Sequence, residues 1–163
     1  MEKKELYLLR HAAAQEGIYK QQDLNRDLSQ EGLNQLTILA KKLQLMDFHP
    51  DFILASNAKR CRDTASFLVE NLGLSKATFL IKEEIYEASS SQLLQLVNLI
   101  PENHQKVLLV GHNPSISSLA EYITGDSFGV FPTSTLVKIT FEVEFWAEIS
   151  GGTGYLLSYV QPL

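Results

Sequence analysis

Arginine is scarce in this chain: Arg10, Arg26, Arg60 and Arg62 stand against ten lysines, so the places where they fall are informative. A planar guanidinium offers paired donors that match the oxygens of a phosphate, which an ammonium cannot do. His11 directly follows Arg10, and His112 sits in Gly111-His112-Asn113-Pro114. A neutral imidazole nitrogen can attack phosphorus and carry the phosphoryl group as phosphohistidine. Neighbouring cations can meanwhile hold the equatorial oxygens, where charge resides as the group moves. Fixed guanidiniums would then do what Mg²⁺ does in kinases, so this chemistry requires no metal and no other cofactor. Neither histidine has an Asp or Glu within its motif, which weakens a metal reading.

The elements that must position these groups are legible in the apolar spacing. Leu6-Tyr7-Leu8-Leu9 reads as a buried strand ending at Arg10-His11, and residues 12–28 read as a long polar loop. Ser29 is placed to N-cap a helix whose Leu33, Leu36, Ala40 and Leu43 share one face, and His49-Pro50 ends that segment. Phe52-Ile53-Leu54-Ala55 is a second strand delivering Ser56 and Asn57. From Ala58, a helix carries Cys61, Ala65, Leu68, Val69 and Leu72, with Gly73 at its C-cap. Thr78 to Ile81 is a third strand, and Leu93, Leu96, Val97 and Ile100 mark a helix stopped by Pro101. Val107 to Val110 is the clearest buried strand. Asn113 is a natural N-cap and Pro114 suits the first turn of a helix bearing Ile116, Leu119, Ala120 and Ile123, closed by Gly125.

The tail changes period. Val137, Ile139, Phe141, Val143 and Phe145 alternate with Lys138, Thr140, Glu142 and Glu144, as in a strand with one wetted face, while Trp146 to Ile149 is expected to leave the sheet. Gly151 to Gly154 reads as a turn rather than a phosphate loop, since it lacks the Lys-Ser/Thr of a P-loop, and Tyr155 to Val160 is a last strand. Strand–helix alternation with a C-terminal hairpin predicts a three-layer α/β/α sandwich with a mainly parallel central sheet and an antiparallel C-terminal edge. Ligands of such sheets bind beyond the C-terminal strand ends. Those ends carry Arg10-His11, Ser56 with Arg60 shortly after, and Gly111-His112.

Composition bounds the rest. The chain has 163 residues, 45% hydrophobic, with a formal net charge of −5, and no composition break, linker or repeat divides it. A single domain over residues 1–163 is expected. The acidic balance argues against a nucleic-acid binder, and no apolar run reaches the ~20 residues of a membrane helix. The start at Met1-Glu2-Lys3-Lys4-Glu5 does not resemble a secretory signal, and the one cysteine, Cys61, fits a reducing cytoplasm. Cys61 reads as a buried helix residue, and His49 and His104 as solvated ones.

The motifs, taken together, identify a family. Leu8-Leu9-Arg10-His11-Ala12 resembles the Arg-His-Gly signature of the histidine phosphatase superfamily, which also contains the cofactor-dependent phosphoglycerate mutases. Ser56 to Ala65 resembles its Ser-Pro-x-x-Arg-Ala-x-x-Thr-Ala motif, and Val110-Gly111-His112-Asn113-Pro114 its third. Arg26-Asp27-Leu28-Ser29-Gln30-Glu31-Gly32 is similar to the Arg-Pro-Leu-Thr-x-x-Gly segment of the short, SixA-type phosphohistidine phosphatases. Each motif alone is weak; four in order are strong.

The resemblance implies roles. His11 would be the phospho-accepting nucleophile, with Arg10, Arg60 and His112 forming a phosphate pocket and Arg26 a further contact. Larger members place an acidic residue after the third strand to protonate the leaving group, and Glu84 lies near that place. Short members lack an inserted cap subdomain, as this chain does. Ala12 in place of the motif Gly adds a methyl where backbone and phosphate could approach closely, and Asn57 replaces Pro.

The expected activity is a metal-independent phosphatase acting on phosphohistidine of a signalling protein such as a histidine phosphotransfer domain, with inorganic phosphate as product. The alternatives are a phosphatase of small phosphorylated metabolites and a non-catalytic phosphate or phosphoprotein-binding module.

Overall fold

The computed structural model describes residues 3–17 and 20–163. In chain order the elements are β1 (Glu5–Arg10), α1 (Gln30–Gln44), β2 (Phe52–Ser56), α2 (Lys59–Leu72), β3 (Thr78–Lys82), α3 (Ser90–Asn98), β4 (Lys106–Gly111), α4 (Ser115–Thr124), β5 (Leu136–Phe141) and β6 (Gly154–Val160). Short 3₁₀ turns lie at Lys20–Asn25, Glu83–Ile85 and Trp146–Glu148. The first falls in the stretch expected to be a polar loop, of which residues 18 and 19 lie outside the described residues.

The sheet order is β3-β2-β4-β1-β5-β6, with the first four strands parallel and the last two antiparallel. This is the expected sandwich. Alternation along the central strands divides the core into two layers. Leu6, Leu8, Leu54 and Leu109 pack with Val97 of α3 and Leu119 of α4. Tyr7, Leu9, Ile53, Leu108 and Val110 pack with Leu36 and Leu39 of α1 and Cys61 and Leu68 of α2. Full burial of such side chains stabilises a fold by roughly 1.5–3 kcal/mol each, which is why the central strands read as continuous apolar runs.

Several local expectations need correction. Leu33 is exposed and Leu39 takes its place in the buried stripe of α1. Helix α4 starts two residues after Asn113, whose amide instead donates to the Phe131 carbonyl at 2.7 Å, so Asn113 is no N-cap. Strand β5 stops at Phe141, where its partner β6 begins opposite at Gly154, so the alternation through Phe145 has no strand to pair with. Trp146 is fully buried, and its indole N–H donates to the His104 carbonyl, drawing this segment out of the sheet. His104 is not solvated: its ring stacks on Phe52 with centroids 4.3 Å apart and bonds Asp51.

Candidate active site

Strand register brings the two histidines together. Arg10 pairs with Gly111 across β1 and β4, so His11 and His112 leave neighbouring strands at the same level. Their ring centroids are 5.4 Å apart, and both are largely buried. On the other side of β4, Ser56 ends β2, and its hydroxyl lies 2.8 Å from His112 Nε2.

The loop after His11 is anchored from two helices. The Ala12 N–H donates to Thr64 Oγ1, which donates in turn to the Arg60 carbonyl, tying the loop to the first turns of α2. At α1, the Ser29 N–H bonds the Ala13 carbonyl, and a Cβ on Gly32 would lie 2.1 Å from that same oxygen. Glycine is therefore required there for the helix start to approach the loop. Ala12 has no left-handed backbone and its methyl is buried in the core, so the departure from the motif glycine introduces no strain in that residue. The positive φ nearby belongs to Ser134, at 61°, whose N–H reaches both the Arg10 and His11 carbonyls at 3.1 Å.

A cleft of about 460 Å³ opens over these strand ends. Arg10, His11, Arg26, Arg60 and His112 all line it. Glu84 does not: Ile85 of the 3₁₀ turn points into the core, and Glu83 and Glu84 turn outward to line a separate groove with Leu96 and Leu99. The acidic residues that line the cleft are Asp23 and Glu87. Tyr86, Asn113 and Thr133 also face it. Asn113 belongs to the third motif but was read only as a helix cap; Asp23, Tyr86, Glu87 and Thr133 were not marked by sequence reasoning, because each is brought in by loop geometry rather than by a motif or apolar period.

The electrostatics are asymmetric. His11 Nδ1 lies 2.8 Å from the Ala12 carbonyl, which can only accept, so Nδ1 carries the proton and Nε2 keeps its lone pair. Burial pushes the His11 imidazole down to about 3 against that bond, with His112, Arg60 and Arg10 adding to the downward push. Burial and Arg60 similarly lower His112 to about 4. Both rings are therefore neutral at physiological pH. Burial would raise the Asp23 carboxyl, but hydrogen bonds from Tyr86, Arg26 and Arg60 outweigh it and hold the group at about 2. Burial raises the Cys61 thiol to about 12, so it is an inert neighbour of His112, 3.5 Å from Nε2.

A neutral imidazole with a free nitrogen, flanked by guanidiniums on three segments, can accept a phosphoryl group and hold its oxygens. Comparison with known proteins agrees with this chemistry. The model of the histidine phosphatase superfamily (branch 1) matches residues 6–89. The uncharacterized protein Rv1276c of Mycobacterium tuberculosis is 27% identical over 150 residues, covering 86% of this chain and 91% of that protein. A structure of a candidate phosphohistidine phosphatase SixA from Agrobacterium tumefaciens is 28% identical, covers 99% of this chain and 100% of its own, and superposes with a TM-score of 0.84. The fold is also shared, at 16% identity and a TM-score of 0.66, with the mycobacterial glucosyl-3-phosphoglycerate phosphatase Rv2419c, over 95% of this chain and 97% of that one. With the superfamily model matched over more than half of its length, the chain belongs to branch 1 of the histidine phosphatase superfamily as a SixA-like hydrolase of phosphorylated substrates.

Proposed function

We propose that His11 Nε2 is the nucleophile of a two-step phosphatase whose substrate is phosphohistidine on a phosphotransfer protein. In the first step Nε2 attacks phosphorus and the P–N bond to the substrate imidazole breaks; that imidazole, already protonated on its other ring nitrogen, takes the bonding pair and leaves as a neutral ring. In the second, water attacks the phosphorus of phospho-His11, the P–Nε2 bond breaks, and inorganic phosphate departs. Arg10, Arg60 and His112 hold the phosphoryl oxygens, and Arg26 supplies a further contact at the rim. The single observation that carries this reading is the side-by-side exit of His11 and His112 among three guanidiniums. The buried Nε–H groups of Arg10 and Arg60 have no acceptor among the described residues, a cost that an oxyanion between the guanidiniums would remove.

The choice of substrate follows from the carboxylates. Asp23 is held ionised and has no proton to give, and Glu87, the other carboxyl on the cleft, is exposed and so only a modest acid for an alkoxide leaving group. A general acid is typically worth roughly 10²–10⁴-fold, and a departing imidazole needs it less. Residues 1–163 are read as one domain without an inserted cap, which leaves the cleft open to a side chain projecting from a protein. No described helix is long and apolar enough to cross a membrane; the cytoplasm is proposed as the compartment because Cys61, the one cysteine, is a free buried thiol that fits a reducing environment.

A second reading, a phosphatase of small phosphorylated metabolites, is favoured by Glu87 on the cleft wall and by the fold shared with Rv2419c. Quenched reactions with labelled phosphohistidine protein should yield an acid-labile adduct that His11→Ala does not form. Absence of adduct in the unaltered protein would indicate a binding module, and a large preference for phosphate monoesters would overturn the substrate.

A further inference from the structure

We infer that Asp23 is an internal competitor for the phosphate site, occupying donors that a phosphoryl group needs and so setting how readily product phosphate leaves. The inference rests on the phosphate-site reading above and deepens it. The Asp23 carbonyl accepts from Arg60 Nη1 at 2.8 Å, and its Oδ2 accepts from Arg60 Nη2 at 3.2 Å. Both terminal nitrogens of the guanidinium are thus engaged by one residue. Oδ1 accepts from Arg26 Nη1 at 3.2 Å, and the Tyr86 hydroxyl donates to Oδ2. The carboxylate therefore spans two arginines that line the cleft, with its two oxygens bound separately, in the manner of a bound oxyanion.

A phosphoryl group seated beside His11 calls on the same donors, and two anions on one guanidinium repel each other. The competitor is tethered lightly. The described side chains of Gln22 to Asn25 are exposed or half-buried, including Leu24, so the hold of this turn on the cleft rests on the polar contacts of Asp23 rather than on apolar packing. Three guanidiniums facing a neutral histidine pair would otherwise retain inorganic phosphate after each turnover. A carboxylate that returns to Arg60 as phosphate moves out opposes that retention.

The test is calorimetric titration of the full chain and of Asp23→Asn with inorganic phosphate, alongside the phosphate inhibition constant and the KM. Removing the charge should tighten phosphate roughly tenfold, the effect of one charge-assisted hydrogen bond ceasing to compete. KM should fall in parallel. Asp23→Ala, which keeps the carbonyl that holds Arg60 Nη1, should act in the same direction and serves if the first variant fails to fold. A purely orienting role for Asp23 has the opposite sign, because a loosened Arg60 binds phosphate more weakly. Unchanged or weaker binding in the variants, with normal binding in the unaltered chain, would overturn the competitor role alone. Failure of all three proteins to bind phosphate would instead remove the phosphate-site reading.

Discussion

His11 Nδ1 lies 2.8 Å from the carbonyl oxygen of the next residue, Ala12, so the backbone itself fixes the imidazole tautomer. With the proton held there, Nε2 keeps the free lone pair that the proposed phosphoryl transfer requires before substrate arrives. The same arrangement makes the site's response to pH calculable in sign.

Both imidazoles are lowered from the ordinary value of 6.5, His11 to about 3 and His112 to about 4. As pH falls below 6.5 the unfolded chain takes up protons that the native rings refuse. Stability is therefore full above 6.5 and declines as pH drops toward 4 and then 3, by at most about 1.4 kcal/mol per pH unit for each group. Denaturant unfolding at pH 7 and pH 5 should show the lower stability at pH 5. Histidine ring shifts followed by NMR should show both rings still neutral at pH 5.5, with His11 as the Nδ1–H tautomer. A midpoint near 6.5 for either ring would contradict the burial argument.

Arg60 is the most constrained of the arginines, buried at 6% exposure and bonded to Asp23 and His112. Lysine in its place keeps the charge but has no fork and no second nitrogen to bridge two acceptors. Arg60→Lys is expected to lower kcat/KM by roughly 100-fold or more, the order seen when one preorganised donor to a transition state is removed. Full activity in that variant would refute the clamp.

Glu84 and Glu87 can be separated by chemistry. Glu87 lines the cleft and Glu84 faces another groove. Glu87→Gln should reduce hydrolysis of a phosphate monoester by roughly 10²-fold while sparing a phosphoramidate, since only the alkoxide needs a proton. Glu84→Gln should alter neither rate. A loss of monoester activity in Glu84→Gln comparable to that in Glu87→Gln would restore the acid to the position expected from the family pattern.

Much of this protein was written in local pattern. The three buried strands β1, β2 and β4, the Ser29 cap, the Gly73 and Gly125 stops and the paired Arg10-His11 and Gly111-His112 exits follow from apolar period and residue type, which act over a few positions. The family motifs bring Arg26 and Arg60 to the same rim. What only the tertiary structure decided is which loop residues close the cleft. Asp23 meets Arg60 across 37 residues, Arg10 meets the Phe131 carbonyl across 121, and Ser134 adopts a left-handed backbone to bond two carbonyls at the end of β1. Such contacts leave no periodic trace, because hydrogen bonds between distant segments depend on where the sheet register sets each strand end rather than on the identity of neighbours in the chain.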